Sequence, residues 1–237
     1  MYSLARVNLQ KKIMSFRITP NMVINGKIDH IDIGDAISVN CSGCTELTEL
    51  PNWPNVKVVI CPCCTELTEL PNWPNVNIVN CYGCIKLIEL PNWPNVNFVN
   101  CYGCIKLVQL PNWPNVEFVY CEKCTGLIEL PNWPNVTHVE CDECTNLKEL
   151  PNWPNVVHVE CNTCTELIEL PNWKKVQTVY CIFCTFLEKI PKWDNVKVLK
   201  CECMGLKYPA LIVLLETEFL LDDLKKECIL WFILRHV

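Results

Sequence analysis

Cys-x-x-Cys occurs eight times in this sequence, from Cys41-Cys44 to Cys181-Cys184, always with sixteen residues between one pair and the next. Paired thiols at that spacing suit three kinds of chemistry. Two successive pairs, such as Cys81, Cys84, Cys101 and Cys104, match the ligand spacing of a tetrahedral zinc site. One pair opening a helix would suit dithiol–disulfide exchange, because the helix start lowers a thiol's pKa. Thiols on neighbouring strands about 4.8 Å apart would fall within cross-linking range. A second set is smaller: His138 and His158 each precede a glutamate, Glu140 and Glu160, by two residues. Imidazole and carboxylate together suit a divalent metal.

Each of these readings meets an objection in the surrounding residues. A zinc ribbon leaves its spacer free, yet here Val56, Val59, Leu67, Leu70, Pro71 and Trp73 recur as faithfully as the cysteines. No basic group recurs beside the thiols to favour thiolate. Eight copies entering Thr-Glu-Leu or Ile-Lys-Leu do not resemble a single redox motif, and in-register parallel strands aim sulfurs poorly for bridging. The expected role is therefore packing. Cys61-type residues fill a leucine-like place, and Cys64-type residues offer a weak S–H donor to a backbone carbonyl of the turn. Cys63, Cys203 and Cys228 fall outside this lattice and carry no role. For the histidines, like residues one strand apart are what a repeat produces anyway, so no metal and no cofactor is expected. A zinc-binding cysteine array remains the alternative to the main reading.

The elements that position these residues follow from the period. Cysteines at 41, 61, 81 and onward to 201, and tryptophans at 53, 73, 93 and onward to 193, set a repeat of 20 residues without slippage. Such a period marks a solenoid, in which each coil buries its apolar side only against the coils above and below. The β-branched stretch Val58 to Cys61 suits a short strand. Pro-Asn-Trp-Pro-Asn cannot be helix interior, because proline lacks the donor and clashes there. Each coil is thus a strand plus an irregular return, and the tryptophans form a core ladder rather than a ligand cage.

The pattern Val56-x-x-Val59-x-Cys61-x-x-Cys64-x-x-Leu67 resembles the leucine-rich repeat signature in its cysteine-containing form, and "ELPNWP" resembles the return of the short 20-residue type. The near-identical tandem copies are also similar to repeat proteins of giant amoeba-infecting DNA viruses. The resemblance implies an α/β-type repeat solenoid, a right-handed coil stack with a parallel sheet of short strands on one face. Three segments are expected: an N-terminal cap of short strands or a hairpin over 1–35, turning at Asn25-Gly26; tandem repeats over 36–203; and a C-terminal helical cap over 204–237. Cysteine in place of asparagine at the ninth position, and one residue moved from the return into the stretch between Cys64 and Leu67, are departures from the family pattern.

Strand alternation turns residues 58 and 60 of each coil outward when Val59 and Cys61 point in. That face changes along the stack while its neighbours repeat. It offers Val58, Ile60, Ile78, Tyr82, Phe98, Tyr102, Phe118 and Tyr120, then His138 and His158, then Tyr180. These are the expected partner-binding residues, and the partner is another protein. With a net charge of −6 and only 20 Lys plus Arg among 237 residues, no basic stripe exists for nucleic acid. The longest apolar run, Cys228 to Leu234, is far short of the roughly 20 residues that span a bilayer. No catalytic constellation is visible, so the expectation is a non-enzymatic, monomeric protein–protein interaction scaffold. Twenty cysteines without an apolar leader suggest a reducing compartment, the cytoplasm, of a host cell if the source is viral.

Overall fold

The computed structural model describes residues 15–201. Over that span the chain winds into a stack of coils whose strands form one ten-stranded parallel sheet in strict sequence order. The strands are β1 (Ser15–Arg17), β2 (Ser38–Asn40), β3 (Val58–Ile60), β4 (Ile78–Asn80), β5 (Phe98–Asn100), β6 (Phe118–Tyr120), β7 (His138–Glu140), β8 (His158–Glu160), β9 (Thr178–Tyr180) and β10 (Val198–Lys200). From β2 onward the pairing joins each residue to the one 20 places later, as Val59 to Val79 and Val79 to Val99. Register is therefore enforced by the sequence period itself.

Each inner strand of three residues buries its central valine and leaves the two flanking residues at least partly open. The backbone ladder extends beyond the strand on both sides: Asn97 N–H donates to Asn77 O at 2.9 Å, Cys81 N–H to Asn100 O at 2.8 Å and Gly83 N–H to Tyr102 O at 2.8 Å. The ladder ends because the next residues must turn. The third residue of every Cys-x-x-Cys has positive φ, including Cys63 at 59°, Gly83 at 70°, Lys123 at 58° and Thr163 at 59°. This places Cys63 at a turn position that glycine fills in other coils, and it is exposed there. A β-branched residue is a poor occupant of left-handed backbone. Thr163→Gly is expected to raise stability by about 0.5–1 kcal/mol, the relieved strain exceeding glycine's added chain entropy. Urea unfolding checks it; a loss of stability would show that the threonine side chain holds the turn.

The return carries no regular backbone ladder, and side chains take over the work of joining coils. Trp73 Nε1–H donates to Pro51 O at 3.1 Å, and the bond recurs down the stack to Trp193 and Pro171 at 3.0 Å. Asn75 Nδ2–H donates to Pro54 O at 2.8 Å, and Asn95, Asn115, Asn135 and Asn155 repeat it. Proline suits these places because it supplies an acceptor while leaving no N–H to satisfy. The indoles stack with ring centroids 5.8–6.2 Å apart and planes within 11°. The seven apolar places per coil that the sequence marks, Val56, Val59, Cys61, Cys64, Leu67, Leu70 and Trp73, are the buried ones, and their counterparts form one continuous core. Asn72 and its equivalents stay exposed, and nothing in the structure explains their repetition.

Near the start, β1 pairs with β2, and a 3-10 turn (Pro20–Met22) follows. The chain then reverses at Asn25 and Gly26, with Ile24 and Lys27 exchanging backbone hydrogen bonds of 2.9 and 3.0 Å. Gly26 docks on the first coil: Thr48 donates to its carbonyl from both N–H and Oγ1, at 2.9 and 3.0 Å. A Cβ at Gly26 would sit 2.8 Å from Thr48 Oγ1, so the close approach requires glycine. The expected C-terminal helical cap over 204–237 lies outside the described residues. Within 15–201 the secondary structure is strand plus that single 3-10 turn, so the fold there is a β-solenoid and the α/β label is corrected. The physical reason is the return: one or two prolines per coil and a 20-residue circumference leave no room for an α-helix. Among the described residues no helix is long and apolar enough to cross a membrane.

Candidate functional site

The outer face of the sheet is built by the two flanking residues of each strand and the residue two further on. One column runs Val58, Ile78, Phe98, Phe118, His138, His158 and Thr178, in register from coil to coil. The second runs Ile60, Asn80, Asn100, Tyr120, Glu140, Glu160 and Tyr180. Tyr82, Tyr102, Glu122, Asp142 and Asn162 form the third. Ile78 is 36% and Tyr82 41% exposed, and the other residues marked from the sequence are half-buried, so this face is brought together as one surface.

The half-burial comes from the rings themselves. Phe98 lies 6.5 Å from Phe118 and 5.3 Å from Tyr120 between centroids, Phe118 stacks on His138 at 4.9 Å, His138 on His158 at 5.6 Å, and His158 meets Tyr180 at 6.0 Å. Tyr82 and Tyr102 pair separately at 5.0 Å. A ring ladder thus crosses from the apolar to the acidic end, and the histidines belong to it. Alternating contact of this sort stabilises neighbouring strands without any ligand. It also presents a pre-formed surface with little side-chain freedom left to lose on binding.

Charge gathers where β7 and β8 lie side by side. Glu140 and Glu160 are in register, Glu122 reaches Glu140 from the preceding coil, and His158 Nε2 lies 2.9 Å from Glu160 Oε1. Burial, then the Glu160 and Glu122 carboxylates, push the Glu140 carboxyl from its ordinary 4.5 up to about 7. Burial raises Glu122 as well. His138 moves the other way, lowered by burial and by its neighbour His158. Thr137 explains its tautomer: the hydroxyl donates to Glu117 O at 3.1 Å, so it accepts from His138 Nδ1–H at 2.9 Å. Asp142 is satisfied, accepting from Asn162 N–H at 2.7 Å and Nδ2–H at 3.0 Å.

The cysteines do something else. Cys64 Sγ donates to Cys41 O at 3.1 Å, Cys84 to Cys61 O at 3.1 Å, and the same bond recurs to Cys184 and Cys161 at 3.0 Å. The acceptor is the first cysteine of the coil before. Contact with the Cys104 thiol, together with burial, raises the Cys81 thiol, and Cys101, Cys121 and Cys141 follow the same pattern one coil on. Protonated thiols are donors and poor metal ligands. Among the described residues, the one group of three or more ligand atoms within 4.8 Å of one another is Glu140, His158 and Glu160; the thiols do not converge in this way.

Two surfaces escaped the sequence reading. Apart from Ile24, the most open aliphatic residues among those described are not on the sheet face: Ile88, Val108, Ile128 and Ile168 are 53–56% exposed, in one column on the return side and interrupted by Lys148. The seventh residue after the first Cys is branched and apolar in four coils, which is the signal the sequence offers. A shallow polar groove along the sheet's edge is lined by Asn77, Asn95, Asn97, Asn115, Glu117 and Thr137.

No protein-family model matches this chain. No curated protein matches it either. Among solved structures it is similar to a leucine-rich repeat protein from Bacteroides ovatus ATCC 8483, at 13% identity over 80% of this chain and 75% of that one, with a TM-score of 0.44. A leucine rich cell surface protein from Faecalibacterium prausnitzii A2-165 matches at 11% identity over 80% of this chain and 79% of that one, with a TM-score of 0.20. At these scores neither superposition adds to what the coils themselves establish, a parallel-stranded solenoid of 20-residue period.

Proposed function

We propose that this chain is a non-enzymatic scaffold that binds another protein through the outer face of its sheet. The observation that carries the reading is the change in composition along one face of an otherwise repeating stack. Core, thiol and indole places are held constant from coil to coil, whereas the outward places pass from Ile78, Phe98 and Phe118 to His138, Glu140, His158 and Glu160. Apolar rings beside an acidic cluster suit a partner segment with large apolar side chains flanked by lysine or arginine, the apolar part supplying affinity and the charges orientation. The thiol ladder supports a reducing compartment such as the cytoplasm, because a sulfur that is oxidised can no longer donate to the carbonyl beneath it.

Selection from a displayed peptide library tests this reading. Enriched ligands are expected to combine aromatic or aliphatic residues with a basic flank. The double substitution Phe98→Asp and Phe118→Asp is expected to weaken their binding at least about 100-fold, as loss of a hot-spot pair does. The melting transition should persist, since both rings lie outside the core. Ligands that bind the double variant as well as the parent would remove the sheet face as the contact surface.

A further inference from the structure

We propose that Glu140, His158 and Glu160 form a binding site for one divalent transition-metal cation. The inference goes beyond the interaction reading and is tested on the protein alone, so either can fail without the other.

One ligand atom from each of the three residues lies within 4.8 Å of the other two. The closest pair, His158 Nε2 and Glu160 Oε1, are 2.9 Å apart. Two ligands at about 2.1 Å from a metal stand roughly 3.0–3.4 Å from each other in octahedral or tetrahedral geometry. The spacing of that pair is close to the bite of a chelate; the carboxylate has only to turn out of the ring's lone-pair direction to admit the ion, and a Glu140 oxygen lies within 4.8 Å of both ligand atoms. A cation would take the place of the hydrogen bond between Nε2 and Glu160. The donor set, one imidazole nitrogen and two carboxylate oxygens, suits zinc, manganese or cobalt rather than the all-oxygen preference of calcium.

A second observation points the same way. Glu122 sits in hydrogen-bonding contact with Glu140, and its Oε2 is buried without a hydrogen-bond partner. Glu122, Glu140 and Glu160 thus crowd together, with one Glu122 oxygen lacking a hydrogen-bond partner. The lysines of the neighbouring coils are occupied elsewhere: Lys123 pairs with Glu143 and lies over the Tyr102 ring, and Lys200 lies over Tyr180. Asp142, the remaining carboxylate beside the cluster, is turned to Asn162. Half-buried carboxylates this close repel one another, and a cation among them relieves that repulsion. His158 is fixed in orientation by stacking on His138 and against Tyr180, so its ring does not have to be ordered on binding.

The experiment is a Mn2+ titration of reduced, chelator-washed protein, read by the loss of the free-ion electron paramagnetic resonance signal. Saturable binding of one ion per chain is expected, with His158→Ala and Glu160→Gln each weakening it at least tenfold while circular dichroism stays unchanged. Glu169→Gln, an exposed carboxylate distant from the cluster, should bind as the parent does. Co2+ should give d–d bands without a thiolate charge-transfer band. Absence of saturable binding, equal binding by His158→Ala, or a thiolate band that places the ion on the cysteines would each overturn the assignment.

Discussion

Trp113→Ala is expected to destabilise the protein by about 3–5 kcal/mol, among the largest effects available to a single substitution in this chain. The indole has no exposure to solvent, and it lies between Trp93 and Trp133 with centroids 6.2 and 6.0 Å away. Removing it opens a cavity that the neighbouring coils cannot close, because the backbone ladder on the opposite side of each coil fixes their spacing. It also removes the Nε1–H donor to Pro91 O at 3.0 Å, one of the few bonds that join coils on the return side. Trp113→Phe separates the two contributions, keeping most of the ring and losing the donor, and is expected to cost about 1–3 kcal/mol. In a stack where each coil touches only its neighbours, a weak centre divides the array, so the alanine variant should show a broadened or two-step urea transition. Trp53 is the control: it is 8% exposed and is the first of the stacked indoles, and its truncation should cost less. An unchanged transition in Trp113→Ala would mean that the indole ladder does not hold the return in place.

The reason this ladder was visible in the sequence is that a repeat reports burial by repetition. Trp113 occupies a place that is Trp in every coil and Val119 one that is Val in all but the last, and both are wholly buried. Strand direction, register and core membership all follow from that one regularity, as does the outward direction of Phe98 and Phe118. Two kinds of feature were not legible. Cys63, Thr163 and Phe183 look arbitrary in sequence, since nothing but a backbone angle unites them. Likewise Asn75 and Asn95 repeat visibly, but only coordinates reveal that their amides reach the proline carbonyls of the coil before. The candidate site was half legible for a related reason. Register put Glu140 beside Glu160 and His138 beside His158, but that His138 turns to Thr137 while His158 turns to Glu160 is side-chain geometry that periodicity does not determine. The continuity of the ring ladder from Phe98 to Tyr180 was likewise invisible, because it relies on diagonal contacts such as Phe98 with Tyr120.

Serine substitutions should separate the two thiols of one Cys-x-x-Cys: Cys121→Ser is expected to cost about 3 kcal/mol and Cys124→Ser about 1 kcal/mol, although both side chains have no exposure. The difference follows from what each sulfur touches. Cys124 Sγ donates to Cys101 O at 3.0 Å, and a hydroxyl in that place keeps a donor for the same carbonyl. The Cys121 sulfur lies against the Cys144 thiol, and its counterpart Cys161 reaches a carbonyl, Tyr180 O, at 3.4 Å, so a hydroxyl at this place finds a weaker acceptor than at 124. Alanine should compress or reverse the order, because at 121 it removes only volume while at 124 it also withdraws a partner from Cys101 O. That carbonyl still accepts from Cys104 N–H at 3.0 Å, which is why the loss at 124 stays near 1–2 kcal/mol rather than the full penalty of an orphaned group. Urea unfolding of the four variants under reducing conditions makes the comparison. The crossed pattern distinguishes packing from metal binding, since a zinc site built from the Cys-x-x-Cys pairs would make both thiols ligands and penalise both serines alike, with bound zinc lost in each. Equal, large losses accompanied by metal release would replace the S–H ladder with a zinc array as the reason these cysteines repeat.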